Sequence, residues 1–309
     1  MVRVAVLGVG HFGRFHALKA AKAGPLELVA VHDADPARAA AMAAELGVPA
    51  LAAAAAIDAA EAVIVAAPTR HHASLGTQAL EAGRHLFMEK PLAATLPEAE
   101  ALAALAAARG LVLQVGHIER FSAAFQAVAA ASQGLRALHW EAVRVAPFRP
   151  RSLDVSVVLD LMIHDIDLVL HLAGAEPVSI RAVGARIASP HADMAVAQLG
   201  FADGRAATIT ASRAAVAMER RLRVLTTEGE MRVDFLARSL ARVARGGAAP
   251  LPDMPGFGLE TAGWTDHDSL EAQQASFAAA CQGAKVLVGA AEGLAALRVA
   301  RMIEAQIEG

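Results

Sequence analysis

Residues 2–18 read VRVAVLGVGHFGRFHAL. An apolar run leads into Gly8-Val9-Gly10-His11-Phe12-Gly13, and a helical pattern follows without a break. This predicts strand, tight turn, helix. Gly8 permits the turn, Gly10 lets the backbone approach a pyrophosphate, and Gly13 lets the helix sit close on the strand. Amides at the helix start, with the helix dipole, favour phosphates. His11 and Phe12 lie inside the turn and join its glycines as candidate contacts. Residues 26–32, LELVAVH, make the next strand, and Asp33 ends it, twenty residues after Gly13. A carboxylate there accepts both hydroxyls of an adenosine ribose and repels a 2′-phosphate. NAD is therefore expected ahead of NADP, although Arg38 stands within reach. The competing reading is a glycine turn of an unrelated α/β protein, with Asp33 in the N-cap region of the next helix.

The chain has 309 residues, which predicts two domains. The boundary is placed near residue 118, with a dinucleotide domain at 1–118 and a substrate and oligomerisation domain at 119–309. Hydrophobic residues make up 56% and the formal charge is −3, so a large core is expected. No basic run is present, which argues against nucleic acid or an anionic membrane as partner. The single cysteine, Cys281, excludes an intrachain disulfide and a Cys-rich metal site, and no metal is expected. The chain enters its first strand directly, without the pattern of a leader, and long alanine stretches are broken by charges. A cytoplasmic protein is the expectation.

Strand and helix patterns alternate through the first half, which means a parallel, doubly wound sheet. Ligands of such sheets bind beyond the carboxyl ends of the strands. The turn at Gly8–Gly13, Asp33, Ala67-Pro68-Thr69, Glu89-Lys90 and His117 should then face one crevice. Lys90 is the sharpest candidate, because an ammonium beside a nicotinamide can hydrogen-bond a substrate oxygen. Glu89 could orient it or contact the cofactor; a surface Lys-Glu pair is the alternative. Pro91 makes the following bond rigid, with cis as one option. His72, or its neighbour His71, is a cofactor contact or a capping residue. His117, Glu119 and Arg120 follow the last strand and are candidate substrate contacts, Arg120 for a diphosphate or carboxylate. Its alternative is a local pair with Glu119.

After His117 the pattern changes. Residues 118–132 read as one bridging helix, then longer alternating segments predict a largely antiparallel sheet with hairpin turns at 202–205 and 227–230. Residues 245–263 read as a loop rich in Gly and Pro. An α+β second domain results, and the sheet's far face is flat enough to join subunits as a homodimer or homotetramer. One apolar helix, 156–174, carries Asp160, His164, Asp165, Asp167 and His171. Asp160 and His164 are one turn apart on one face. A carboxylate so placed can stabilise an imidazolium, which is how a general base for an alcohol proton is built. The alternatives are satisfied polar residues in a buried helix, or Asp167 as the partner.

VLGVGHFGRFHA, APTRHHA, EAGRHLFMEKPLA and LDLMIHDIDLVL, in this order, resemble the glucose–fructose oxidoreductase/inositol dehydrogenase (Gfo/Idh/MocA) family across nearly the whole chain. The resemblance implies that Lys90, Asp160 and His164 form the catalytic group. It also implies NAD(P)-dependent oxidation or reduction at a sugar or cyclitol carbon. Within the family, VGHIERF and SRAAVAMERRLRV look most like the subgroup acting at C3 of UDP-N-acetylglucosamine. Ser156-Val157 stands where many members have Gly-Gly, Ser122 where the subgroup usually has Asn, and the chain has no tyrosine. Two other functions compete. A catalytically silent dinucleotide sensor would not need Lys90, Asp160 and His164. A reductase of a non-sugar substrate would not need the Asp-His pair.

Overall fold

The computed structural model describes residues 1–150, 153, 155–265 and 267–308. The chain divides into two compact units, residues 1–121 with 268–294, and residues 122–267 with 295–309. The sequence draws a single boundary near 118, whereas the chain returns to the first unit for 268–294.

The first unit alternates strand and helix: β1 (Val2–Leu7), α1 (His11–Ala20), β2 (Leu26–His32), α2 (Pro36–Leu46), α3 (Ala53–Ala59), β3 (Ala62–Val65), α4 (His72–Glu81), β4 (His85–Met88), α5 (Leu96–Ala108) and β5 (Leu113–Val115). Among the described residues its sheet has five parallel strands, ordered β2-β1-β3-β4-β5. The strands are buried on both faces, so they are nearly continuous apolar runs rather than alternating ones. Helix boundaries follow local chemistry. Asp35 accepts the Ala37 and Arg38 amides at the start of α2, Pro36 opens it, and Gly47 ends it at φ 68°. Thr95 and Glu98 form a reciprocal cap on α5.

The second unit carries α6 (Ala123–Ala131), β6 (Ala137–Val145), a π-helical turn (Val158–Met162) continuing into α7 (Ile163–Ala173), then β7 (Ser179–Ala185), β8 (Met194–Gly200), β9 (Ala206–Ser212), β10 (Glu219–Thr226), β11 (Gly229–Asp234), β12 (Ser239–Arg245), β13 (Ala249–Pro250) and β14 (Phe257–Gly263). Its nine described strands order as β13-β14-β12-β11-β10-β6-β9-β8-β7, all pairs antiparallel except β6 with β9. Trp140, Ala142, Ile209, Leu222, Val224 and Val233 are buried at alternate positions. The chain then returns to the first unit with α8 (Ser269–Cys281), and α9 (Ala290–Glu308) closes it. Phe277 of α8 meets Phe87 of β4 edge to face, centroids 5.6 Å apart. Cys281 packs against the same core, and burial pushes its thiol up to about 12.

Two segments differ from expectation. Residues 118–132 are not one helix, because Ser122 stops the 3-10 turn at 118–121 and caps α6, its Oγ accepting the Phe125 amide. Residues 245–263 contain β13 and β14 rather than a continuous loop. A Cβ on Gly258 would strike the Gly247 carbonyl, so these glycines serve close backbone pairing. No described helix is long and apolar enough to cross a membrane.

Candidate active site

At the end of β1 the three glycines do different work. Gly8 has φ 88°, and a Cβ there would lie 2.6 Å from the Ala67 amide nitrogen. A Cβ on Gly13 would run into the Gly8 carbonyl. Gly10 meets nothing within 4 Å, and it begins α1 without a side-chain cap. The turn is thus packed at Gly8 and Gly13 and open at Gly10, above a helix start whose first amides no side chain satisfies. That cradle fits a dinucleotide pyrophosphate. His11 and Phe12 are exposed on the first turn of α1, ring centroids 5.5 Å apart.

Asp33 is tied to the same turn. Its Oδ2 accepts the Val9 amide at 2.9 Å, and its Oδ1 accepts the Asp35 amide at 2.9 Å and Arg38 Nη1 at 3.0 Å. Burial would raise its pKa, but the two amides and the guanidinium outweigh this and hold it low. Arg38, within reach on sequence, is an actual partner of Asp33.

The ends of β3 and β4 carry the next candidates. Ala67, Pro68 and Thr69 follow β3 at the carboxyl edge of the sheet, with Thr69 opening a short 3-10 turn. His72 is 1% exposed. Its Nδ1 lies 2.8 Å from the Pro91 carbonyl oxygen and its Nε2 2.9 Å from that of Ala67. Burial lowers its pKa, against the pull of both carbonyls. His72, expected as a cofactor contact or a capping residue, has its ring between the carbonyls of Pro91 and Ala67, and the neutral imidazole can donate to one of them. Glu89 likewise turns inward. Its Oε1 meets His16 Nε2 at 2.8 Å and its Oε2 accepts the Lys90 amide at 3.1 Å. Burial opposes the ionised form, yet His16, Lys90 and the amide keep the Glu89 pKa low. The carboxylate thus bonds His16 with one oxygen and the Lys90 amide with the other. Lys90 is half-buried, and its bond to Pro91 is cis. His117 and Arg120 are buried, while Glu119 is half-buried.

His16 and Gln274 were not legible as site residues. Gln274 Nε2 lies 3.1 Å from His16 Nδ1 and donates to the His16 carbonyl at 3.0 Å. This sets the tautomer, with the hydrogen on Nε2 facing Glu89.

In the second unit, the helix bearing Asp160 and His164 starts with a π turn, a feature frequent at functional sites. Ser156 supports that start: its Oγ accepts the Leu159 amide at 3.3 Å and donates to Glu304 at 2.5 Å. From Val157 to Val169, only Asp160, Leu161 and His164 are not fully buried. The Asp-His pair thus lies in the half-buried part of a stretch whose other residues, Leu161 apart, are buried. Asp167, three residues on from His164, is 3% exposed, and His171 is exposed at the far end. Asp165 forms a buried bidentate pair with Arg144 at 2.8 and 3.0 Å. Among the described residues, no group of three or more His, Cys, Asp or Glu could hold a metal ion.

The sequence matches the family model described as an oxidoreductase family with NAD-binding Rossmann fold over residues 2–117. The model of the GFO/IDH/MocA C-terminal domain matches residues 115–232. The chain belongs to the Gfo/Idh/MocA oxidoreductase family. It is 41% identical to a UDP-N-acetylglucosamine 3-dehydrogenase of Acidithiobacillus ferrooxidans, over 89% of this chain and 87% of that one. A crystal form of that dehydrogenase superposes with a TM-score of 0.93, covering 99% of this chain and 97% of the other. An inositol 2-dehydrogenase of Rhizobium meliloti is 30% identical over 97% of this chain and 94% of its own. This member of the family is accordingly an enzyme of the dehydrogenase class, built on a Rossmann unit and a second, mostly antiparallel unit.

Proposed function

We propose that this enzyme is an NAD-dependent dehydrogenase of a sugar nucleotide, acting at the C3 hydroxyl of UDP-N-acetylglucosamine or a close analogue. The observation that carries the substrate is the 41% identity to an enzyme of that name along most of both chains. The first unit holds the cofactor. The amides around Gly10 take the pyrophosphate, and Asp33 takes the adenosine ribose. His11, Phe12 and the Ala67–Thr69 segment border it. When bound, the nicotinamide accepts the hydride. Lys90 hydrogen-bonds the reacting oxygen, and His164 takes the hydroxyl proton with Asp160 stabilising the resulting imidazolium. His117, Glu119 and Arg120 shape the first unit's last segment. The second unit binds substrate and joins subunits as a homodimer or homotetramer. Its edge strand exposes Val183 at 70%, beside exposed Val178 and Ile187, which supports association through this sheet in a cytoplasmic enzyme.

The test is NADH formation with UDP-N-acetylglucosamine, free N-acetylglucosamine and myo-inositol, with mass determination by light scattering. Turnover of myo-inositol alone would overturn the substrate reading.

A further inference from the structure

His16, in α1, has no exposure and sits in the apolar core of the first unit. Its ring meets Phe87 with centroids 5.0 Å apart, and Phe87 in turn meets Phe277. An apolar side chain would complete that core without burying polar atoms. The imidazole belongs instead to a series of hydrogen bonds joining segments far apart in sequence. Gln274 of α8, 4% exposed, carries two hydrogens on Nε2. That nitrogen lies 3.1 Å from His16 Nδ1 and 3.0 Å from the His16 carbonyl oxygen. His16 Nε2 faces Glu89 Oε1 at 2.8 Å, and Glu89 Oε2 accepts the Lys90 amide at 3.1 Å. The series runs from α8 through α1 to the end of β4, all within the first unit, and it stops at Lys90.

The Glu89 carboxylate is fitted to its place. A Cβ on Gly116 would lie 2.8 Å from the carboxylate carbon, so the glycine leaves room for it. The Gly116 amide donates to the Met88 carbonyl at 2.7 Å, which holds this wall against β4. Burial opposes the ionised form of Glu89, and the His16 hydrogen bond is the largest of the contacts that restore it.

We infer that His16 is a positioning residue for Lys90: with Gln274 fixing its tautomer it holds the Glu89 carboxylate, which holds the amide of Lys90. This rests on the reading of Lys90 as the donor to the reacting oxygen. The ammonium stands at the end of a flexible four-carbon stem, so a small rotation of the backbone at Lys90 is magnified at Nζ. A misplacement of about 1 Å can cost about a hundredfold in rate. His16 itself acts only through Glu89.

The experiment compares His16→Leu, His16→Gln, Gln274→Leu, Phe277→Leu and Lys90→Met with the wild type. Single-turnover hydride transfer and KM are measured well below Tm with NAD⁺ saturating. The substrate is whichever of UDP-N-acetylglucosamine, N-acetylglucosamine and myo-inositol the wild type turns over. His16→Leu should slow hydride transfer about ten- to a hundredfold, with KM and NAD⁺ affinity close to the wild-type values. His16→Gln, whose amide nitrogen can stand in for Nε2, should recover most of that rate. Phe277→Leu removes packing from the same core but no member of the series, so it should lower Tm and leave hydride transfer unchanged. A second readout needs no ligand. With ¹⁵N-lysine labelling, the Lys90 amide resonance is assigned by its loss in Lys90→Met. It should move in His16→Leu and return towards the wild-type position in His16→Gln. If His16→Leu does not fold, Gln274→Leu, which releases the tautomer, carries both measurements with changes in the same direction. Hydride transfer at the wild-type rate in that variant, whether or not the amide moves, would overturn the positioning role. If Lys90→Met is then still severely impaired, the reading of Lys90 stands. Equal slowing by His16→Leu and Phe277→Leu would reduce His16 to packing. Near-normal hydride transfer in Lys90→Met would remove the reading and the inference together.

Discussion

His16 Nε2 lies 2.8 Å from Glu89 Oε1, inside the first unit, where His16 has no exposure and Glu89 only 9%. The pair links the helix that follows the glycine turn to the turn that carries Lys90. Gln274 holds the imidazole from the other side, and the second Glu89 oxygen accepts the Lys90 amide. Removing the imidazole leaves a buried carboxylate short of a donor. His16→Leu should cost about 1–3 kcal/mol in denaturant unfolding. Because Glu89 is held below its ordinary pKa, its contribution is present above the unfolded carboxylate value and fades as pH falls through the folded one. Unfolding midpoints followed against pH should show the variant losing stability at a higher pH than the wild type. Superimposable acid profiles would mean that Glu89 does not depend on His16.

Asp33 and Arg38 sit at the ribose end of the same unit, 3.0 Å apart. The carboxylate is expected to dominate, so kcat/KM should favour NAD over NADP. Asp33→Ala removes the repulsion towards a 2′-phosphate and releases Arg38, which is half exposed, to receive one. The NADP-to-NAD ratio should rise at least tenfold. A wild-type preference for NADP would assign the pocket to Arg38.

The glycines separate binding from folding. Gly10→Val places its side chain in open space, so the fold should survive while NAD affinity is lost, as titration calorimetry would record. Gly13→Ala drives a methyl into the Gly8 carbonyl and should lower Tm instead. Unchanged NAD binding in the Gly10 variant would remove the loop from the cofactor site.

The glycine turn was readable because each glycine answers a local demand, and Asp33 because a strand end fixes its place. Glu89 was visible as a residue but not in its direction, since its partner His16 is 73 residues away and Gln274 a further return of the chain, 258 residues from His16. The strand pair at 249–263 escaped because its glycines and prolines read as loop, and only backbone pairing shows otherwise. Arg144 and Arg220 look like scattered surface charges until the strand register sets them opposite each other. The helix at 156–174 read correctly as helix, but its opening π turn has no signature in a pattern of apolar residues.

The last prediction concerns the proton. Hydride loss from a carbinol requires the hydroxyl proton to go to a base, and Lys90 and His164 are the candidates. Imidazoles ordinarily titrate around pH 6.5, which suits the role. Asp160 and His164 are both half-buried, whereas Asp167, three residues on from His164, is buried. His164→Ala should therefore lose about 10²- to 10⁴-fold in kcat while NAD still binds, and the acidic limb of kcat/KM against pH should vanish. Asp160→Asn should lose less and move that limb to lower pH, because the imidazolium loses its stabilising charge. Lys90→Met should be severe but keep the limb in whatever activity remains, since the proposed base, His164, is still present. Asp167→Asn, altering a buried group, should act on Tm more than on the profile. Near-normal turnover of the His164 variant with an unchanged profile would hand the base role to Lys90.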